Sequence, residues 1–140
     1  MALDTIFGIG GSALNAQTVR MNTIASNMAN AGTVAGSDAE AFRGKRAVFK
    51  AILEDQLNGQ DNNKGGVQVT TISDDPTPIK KMQDPGNPLA DKEGYVYLSN
   101  VNEMSEMVEM MAANRSYQNN VEVINTARQL MMRTLDIIKS

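Results

Sequence analysis

Neither histidine nor cysteine occurs among the 140 residues, so few side chains here could do chemistry. Their absence removes thiol nucleophiles, disulfides, imidazole acid–base catalysis and zinc sites of the usual Cys/His kind. Gly8-Ile9-Gly10-Gly11-Ser12 has the glycine density of a phosphate-cradling loop. It follows no strand, lacks the lysine of a Walker loop and misses the dinucleotide spacing, so it reads as a flexible hinge in a helix. Asp61-Asn62-Asn63-Lys64-Gly65-Gly66 half-matches a calcium loop, but Ile72 stands where a bidentate glutamate is needed. A solvated turn, within a loop over 58–66, accounts for it. Asp74, Asp75 and Asp84 could act as paired carboxylates. Nothing around them raises a carboxyl pKa, and Asp75-Pro76 and Asp84-Pro85 suit turn initiation. Met104, Met107, Met110, Met111, Met131 and Met132 could line an adaptable binding groove, yet their heptad spacing reads first as helix packing. The expectation is a chain with no catalytic residue, no cofactor and no metal: not an enzyme.

The net charge is -3, from 16 acidic and 13 basic side chains. That argues against nucleic-acid binding, which needs excess Lys and Arg to displace counterions. Three Phe, three Tyr and no Trp offer less aromatic area than a compact core normally uses. The most apolar early stretch, 5–19, is broken by Gly8, Gly10, Gly11, Asn15 and Gln17, too polar to span a bilayer. No Lys or Arg precedes Arg20, so a Sec-type signal peptide is not expected, nor is direct membrane insertion.

The elements that must position these residues fall into three zones. Residues 1–36 carry two charges, Asp4 and Arg20; residues 37–98 hold all four prolines; residues 99–140 contain neither Pro nor Gly. The last zone reads as one long helix, with Asn100 as N-cap and Glu103 completing a variant capping box. Met110, Tyr117, Ile124, Met131 and Ile138 recur every seven residues, with Met107, Asn114, Val121, Arg128 and Leu135 as the companion row. This is the pattern of a coiled-coil seam with two polar interruptions, Asn114 and Arg128. The first zone predicts a helix over 3–30, with Leu14, Met21 and Met28 interleaved with Gln17, Ile24 and Ala31. Its other face offers Ser12, Asn15, Ser26, Asn27 and Asn30, small uncharged groups that suit protein contact better than bulk water. A final helix of about 38 residues spans about 57 Å, beyond the diameter of about 37 Å for a compact globule of this length. The middle zone has an apolar stretch at Phe42, Val48 and Phe49 and period-two alternation from Val67. The expected fold is mainly α and elongated: long N- and C-terminal helices (1–36 and 99–140) packed as a coiled coil, with a small β-rich, turn-rich middle module (37–98). Candidate inter-helix and assembly residues are Leu14, Met21, Ile24, Asn27, Met28 and Asn30 on the first helix. On the second they are Met107, Met110, Tyr117, Val121, Ile124, Met131 and Leu135.

The segment Ser12–Thr33, centred on Ala25-Ser26-Asn27-Met28-Ala29-Asn30, resembles the N-terminal signature of the bacterial flagellar rod, hook and filament-junction proteins. At the other end, Glu106–Asn120, with Glu106-Met107 and later Arg115, Tyr117 and Asn120, is similar to their C-terminal signature. Gly66-Val67-Gln68-Val69, Asp84–Asp91, Gly94-Tyr95-Val96 and Asn100-Val101-Asn102 are similar to the proximal-rod branch. Two departures lie at segment junctions: Val34–Glu40 where many members place Pro-Gly, and Ser99 where Pro is usual. The resemblance implies a structural subunit of the proximal rod, assembling helically in the periplasm to transmit torque from the motor to the distal rod and hook. It implies export by the flagellar type III apparatus without a Sec signal. The partners it implies are further copies of the chain, other proximal and distal rod subunits, rod-base/MS-ring junction proteins and the export apparatus. The alternative is a soluble coiled-coil adaptor or chaperone of that secretion system.

Overall fold

A computed structural model describes residues 2–52 and 65–139. The turn expected over 58–64 and residues 61–64 of the calcium half-match lie outside the described residues. Helix α1 is Ala2–Asn30 and helix α2 is Glu103–Lys139. The 37 residues of α2 extend about 55 Å at 1.5 Å per residue. Between the helices run strands β1 (Val34–Ala35), β2 (Lys45–Ile52), β3 (Gly66–Asp74), β4 (Lys80–Gln83) and β5 (Tyr95–Leu98).

Two expectations about the helices are corrected. The glycines at 8, 10 and 11 do not open a hinge, because α1 runs unbroken through them. Gly10 serves close approach instead: a Cβ there would lie 2.8 Å from Ile124 Cγ1 of α2. The N-cap of α2 is Asn102, not Asn100. Ser105 N–H donates to Asn102 Oδ1 at 3.0 Å, and Glu106 N–H donates to Asn102 O at 3.0 Å, the bonding that satisfies first-turn donors. Asn100 stands two residues too early and ties the strands together. Its Oδ1 accepts from Gly44 N–H at 2.7 Å, while its Nδ2 donates to the carbonyls of Thr77 at 2.8 Å and Asp75 at 3.2 Å.

The helices are antiparallel: Gly10 meets Ile124, Arg20 pairs with Glu109, and Asn27 bonds to Glu106. Their inner ends are clamped by strands. β1 follows α1 directly, β5 leads into α2, and the two pair at Val34↔Leu98 and Ala35↔Tyr97. β4 adds to the other side of β5, giving the order β1-β5-β4 with Val96 fully buried. β2 and β3 form a separate antiparallel ribbon packed along α1. Val48 faces Thr71 but Phe49 faces Val69, so Thr70 is an extra residue, and its hydroxyl donates to Val48 O. Such a bulge bends and twists its strand, which lets a straight ribbon follow a helix. At the far end Gly66, with φ +138°, brings the backbone onto α1, where a Cβ would lie 2.9 Å from Ser12 Oγ.

The α2 side that turns inward differs from the expected pair of rows. Met110, Tyr117, Ile124 and Met131 are part-buried, whereas Ile138 is exposed. The companions with the deepest burial are Glu106, Ala113 and Ala127, with Asn120 part-buried. They lie one residue before the expected Met107, Asn114, Val121, Arg128 and Leu135. Met107 and Leu135 are 49% and 47% exposed, and Asn114 and Arg128 are exposed too. The physical reason is separation. Gly10 lets α1 come into contact with Ile124 of α2, and much of the buried row is small, Ala113 and Ala127, so the bulkier Met107 and Leu135 stay on its outer flank.

Candidate assembly interface and its buried polar junction

Where α1, β2 and the start of α2 meet, three polar side chains converge. Glu106 is 1% exposed and Asn27 is 0% exposed. A charge so deeply buried is stable only if paired and hydrogen-bonded, and both oxygens are served. Asn27 Nδ2 donates to Glu106 Oε2 at 2.9 Å, and Arg46 Nη1 lies 2.9 Å from Glu106 Oε1. Asn27 also behaves like a strand residue towards β2: Lys45 N–H donates to its Oδ1 at 2.7 Å and its Nδ2 donates to Lys45 O at 2.9 Å. One asparagine thus satisfies a strand end and a buried carboxylate together. Neither helix carries proline near this junction, and Gly44, just before β2, allows the close pass, with Val101 Cγ2 3.3 Å from where its Cβ would be.

Further charges surround the junction. Arg20 of α1 pairs with Glu109 of α2, one turn on from Glu106. Lys45 pairs with Asp74 across the ribbon. Arg46 Nε donates to Asp75 Oδ2 at 3.3 Å. The hydroxyl and backbone N–H of Thr77, with the Arg46 guanidinium adding to them, hold the Asp75 carboxyl below its ordinary 3.8. Asp91 is likewise lowered, chiefly by the backbone N–H of Tyr95, then by Glu93 N–H, the Tyr97 hydroxyl and the Lys81 charge. These carboxylates build turns: Asp75 accepts from Thr77, and Asp91 accepts from Glu93 and Tyr95, both at 2.9 Å. No group of three or more acidic side chains is placed to hold a metal among the described residues.

Among the sequence candidates, Ile24 and Asn27 are fully buried, and Leu14, Met21, Met28, Asn30, Met110, Tyr117, Val121, Ile124 and Met131 are part-buried. Met107 and Leu135 lie on the outside of the pair. Asn27 lies at the junction rather than on the outer face assigned to it with Ser12, Asn15, Ser26 and Asn30. Ser12 leaves that face too, since its hydroxyl accepts from Val67 N–H at 3.1 Å. Sequence reasoning missed Glu106, Arg46 and the linking role of Asn100. The available signal for Glu106 was a glutamate in a seven-residue row with Ala113 and Ala127, a row whose small members mark close helix contact.

The outer side of α2 carries exposed Met104, Met107, Val108 and Met111 near its start, and Val123, Leu130 and Met132 further on. Among the described residues, no helix is long and apolar enough to cross a membrane.

Comparison with known proteins bears on both ends of the chain. Residues 7–35 match the family described as Flagella basal body rod protein, and residues 92–137 match Flagellar basal body rod FlgEFG protein C-terminal. The chain is 50% identical to the flagellar basal-body rod protein FlgC of Yersinia enterocolitica over 137 residues, covering 98% of each. It is 47% identical to that of Salmonella typhimurium, again with 98% of each covered. For Buchnera aphidicola subsp. Baizongia pistaciae the identity is 36% with the same coverage. The chain belongs to the FlgC family of flagellar basal-body rod proteins.

Proposed function

We propose that this rod protein is a structural subunit of the proximal rod, assembling helically with further copies and with other rod subunits to carry torque outward. It is a structural component of the flagellar basal body, not an enzyme. The observation that carries this reading is relatedness over 98% of the chain to rod proteins at 36–50% identity, seen on an elongated helix pair whose outer side carries exposed apolar patches. We read residues 1–36 and 99–140 as the axial core and 37–98 as the module outside it. The helix pair packs as a coiled coil along the Glu106/Ala113/Ala127 and Met110/Tyr117/Ile124/Met131 rows. Met107 and Leu135, exposed in the single chain, are assembly contacts in this reading, and Ile24, Met28 and Val121 hold the pair together. An open helical array needs unlike faces of successive subunits to meet, and torque needs many such contacts at once. Export by the type III apparatus, a periplasmic position and contact with rod-base proteins complete the proposal.

The test is complementation. A strain lacking its own proximal rod protein of this family should regain swimming when supplied with this chain, and an epitope on the chain should sediment with purified basal bodies. Recovery solely in small soluble complexes, without swimming, would instead indicate an adaptor or chaperone.

A further inference from the structure

α1 packs against both α2 and the β2–β3 ribbon, while among the described residues no backbone of α2 approaches β2 or β3. Arg46 of β2 nevertheless makes a direct polar link to Glu106 of α2. The two partners have unequal stakes in it. The Arg46 side chain is 44% exposed and keeps water when released, whereas Glu106 is sealed. Lifting the ribbon from α1 would therefore strip one oxygen of a buried carboxylate and weaken the seat of α2. Lifting α2 would release Arg46 and remove one of the three bonds of Asn27, weakening the seat of the ribbon. We infer that the Arg46–Glu106 pair makes ribbon docking and α2 pairing mutually dependent, so that a disturbance on either side of α1 is felt on the other. Coupling of this kind is reciprocal by thermodynamic necessity.

Amide hydrogen exchange on the full chain tests this. Glu106→Gln, which keeps shape and loses charge, should speed exchange of the hydrogen-bonded amides of β2 and β3 about tenfold, although no ribbon residue is altered. Arg46→Met should speed exchange in the first turns of α2 by a similar factor. Because Asp75 also reaches the start of α2 through Asn100, Asp75→Asn is the control for that lost contact and should leave α2 exchange unchanged. Arg46→Lys, which retains a cation, should restore most of the α2 protection. If Glu106→Gln disturbed α2 alone, or Arg46→Met disturbed the ribbon alone, the coupling would be refuted. Should Glu106→Gln fail to fold, Arg46→Met on its half-exposed strand position still gives the answer.

Discussion

A methyl group added at Gly10 would lie 2.8 Å from Ile124 Cγ1, whereas one added at Gly8 would meet nothing within 4 Å. Both positions are inside α1, where Ala is favoured over Gly by about 1 kcal/mol. Gly8→Ala should therefore raise the melting temperature of the isolated chain. Gly10→Ala gains the same propensity but forces the helices apart at a branched side chain, an overpacking cost of about 1–3 kcal/mol, and should lower it. Equal effects at both positions would remove the close-approach explanation. At the junction, Asn27→Ala deprives the Lys45 backbone and Glu106 of partners. With about 1–3 kcal/mol for each buried group left unsatisfied, the loss should be about 3 kcal/mol in urea unfolding. Asn27→Asp keeps the shape, yet it removes the donors and sets a second carboxylate against Glu106. It should be worse than alanine at neutral pH. Repulsion raises the new carboxyl's pKa, so that deficit should shrink as the pH falls and one carboxyl takes up a proton.

At the scale of elements, the two asparagines before α2 separate capping from linkage. Asn102→Ala should cost about 1 kcal/mol, as N-cap losses do. Asn100→Ala should cost more, because its side chain joins Gly44, Asp75 and Thr77; thermal melts of the two variants give the order. Reading the wrong asparagine as the cap shows where sequence reasoning stops. Both are good caps by type, and the choice depends on where the strands release the chain. The helices themselves were legible, since 99–140 holds no Pro or Gly and repeats Met110, Tyr117, Ile124 and Met131 every seven residues. Their facing side was half legible. Apolar periodicity draws attention to Met107 and Leu135, while the row in contact is built from Ala113, Ala127 and a glutamate, which no hydrophobic pattern marks. Gly10 was misread for the same reason, since a glycine needed for contact and one needed for bending look alike in sequence. The junction was illegible as a unit because Asn27, Arg46 and Glu106 come from three elements brought together by strand pairing. Glu109 belongs to the same lesson: off both expected rows, it pairs with Arg20 across the helices.

At the scale of the whole molecule, the buried apolar side chains among the described residues are Ala16, Ile24, Ala41, Val96, Ala113 and Ala127, four of them alanines. Such a core removes little apolar area from water at about 25 cal/mol per Å². Meanwhile α2 leaves Met104 70%, Met111 64% and Leu130 55% exposed. Apolar surface of this kind marks contact with other proteins, and in a rod subunit the neighbouring subunits would cover it. Inside and outside substitutions should then separate. Ile24→Asp places a carboxylate in a site 3% exposed, so the isolated chain itself should lose several kcal/mol of stability. Met111→Glu and Leu130→Glu disturb nothing inside, so melting should change by less than about 0.5 kcal/mol. In the array, however, each copy would bring a carboxylate into an apolar contact, repeated at every subunit. Cells carrying either variant should make the protein at normal levels, swim poorly or not at all, and yield basal bodies lacking hooks. Gln118→Glu, on the exposed polar stretch between the two apolar patches, adds the same charge and should swim. If Met111→Glu and Leu130→Glu also swam normally, the outer side of α2 would not be where the rod is held together, and the torque path would have to run through α1 and the strands.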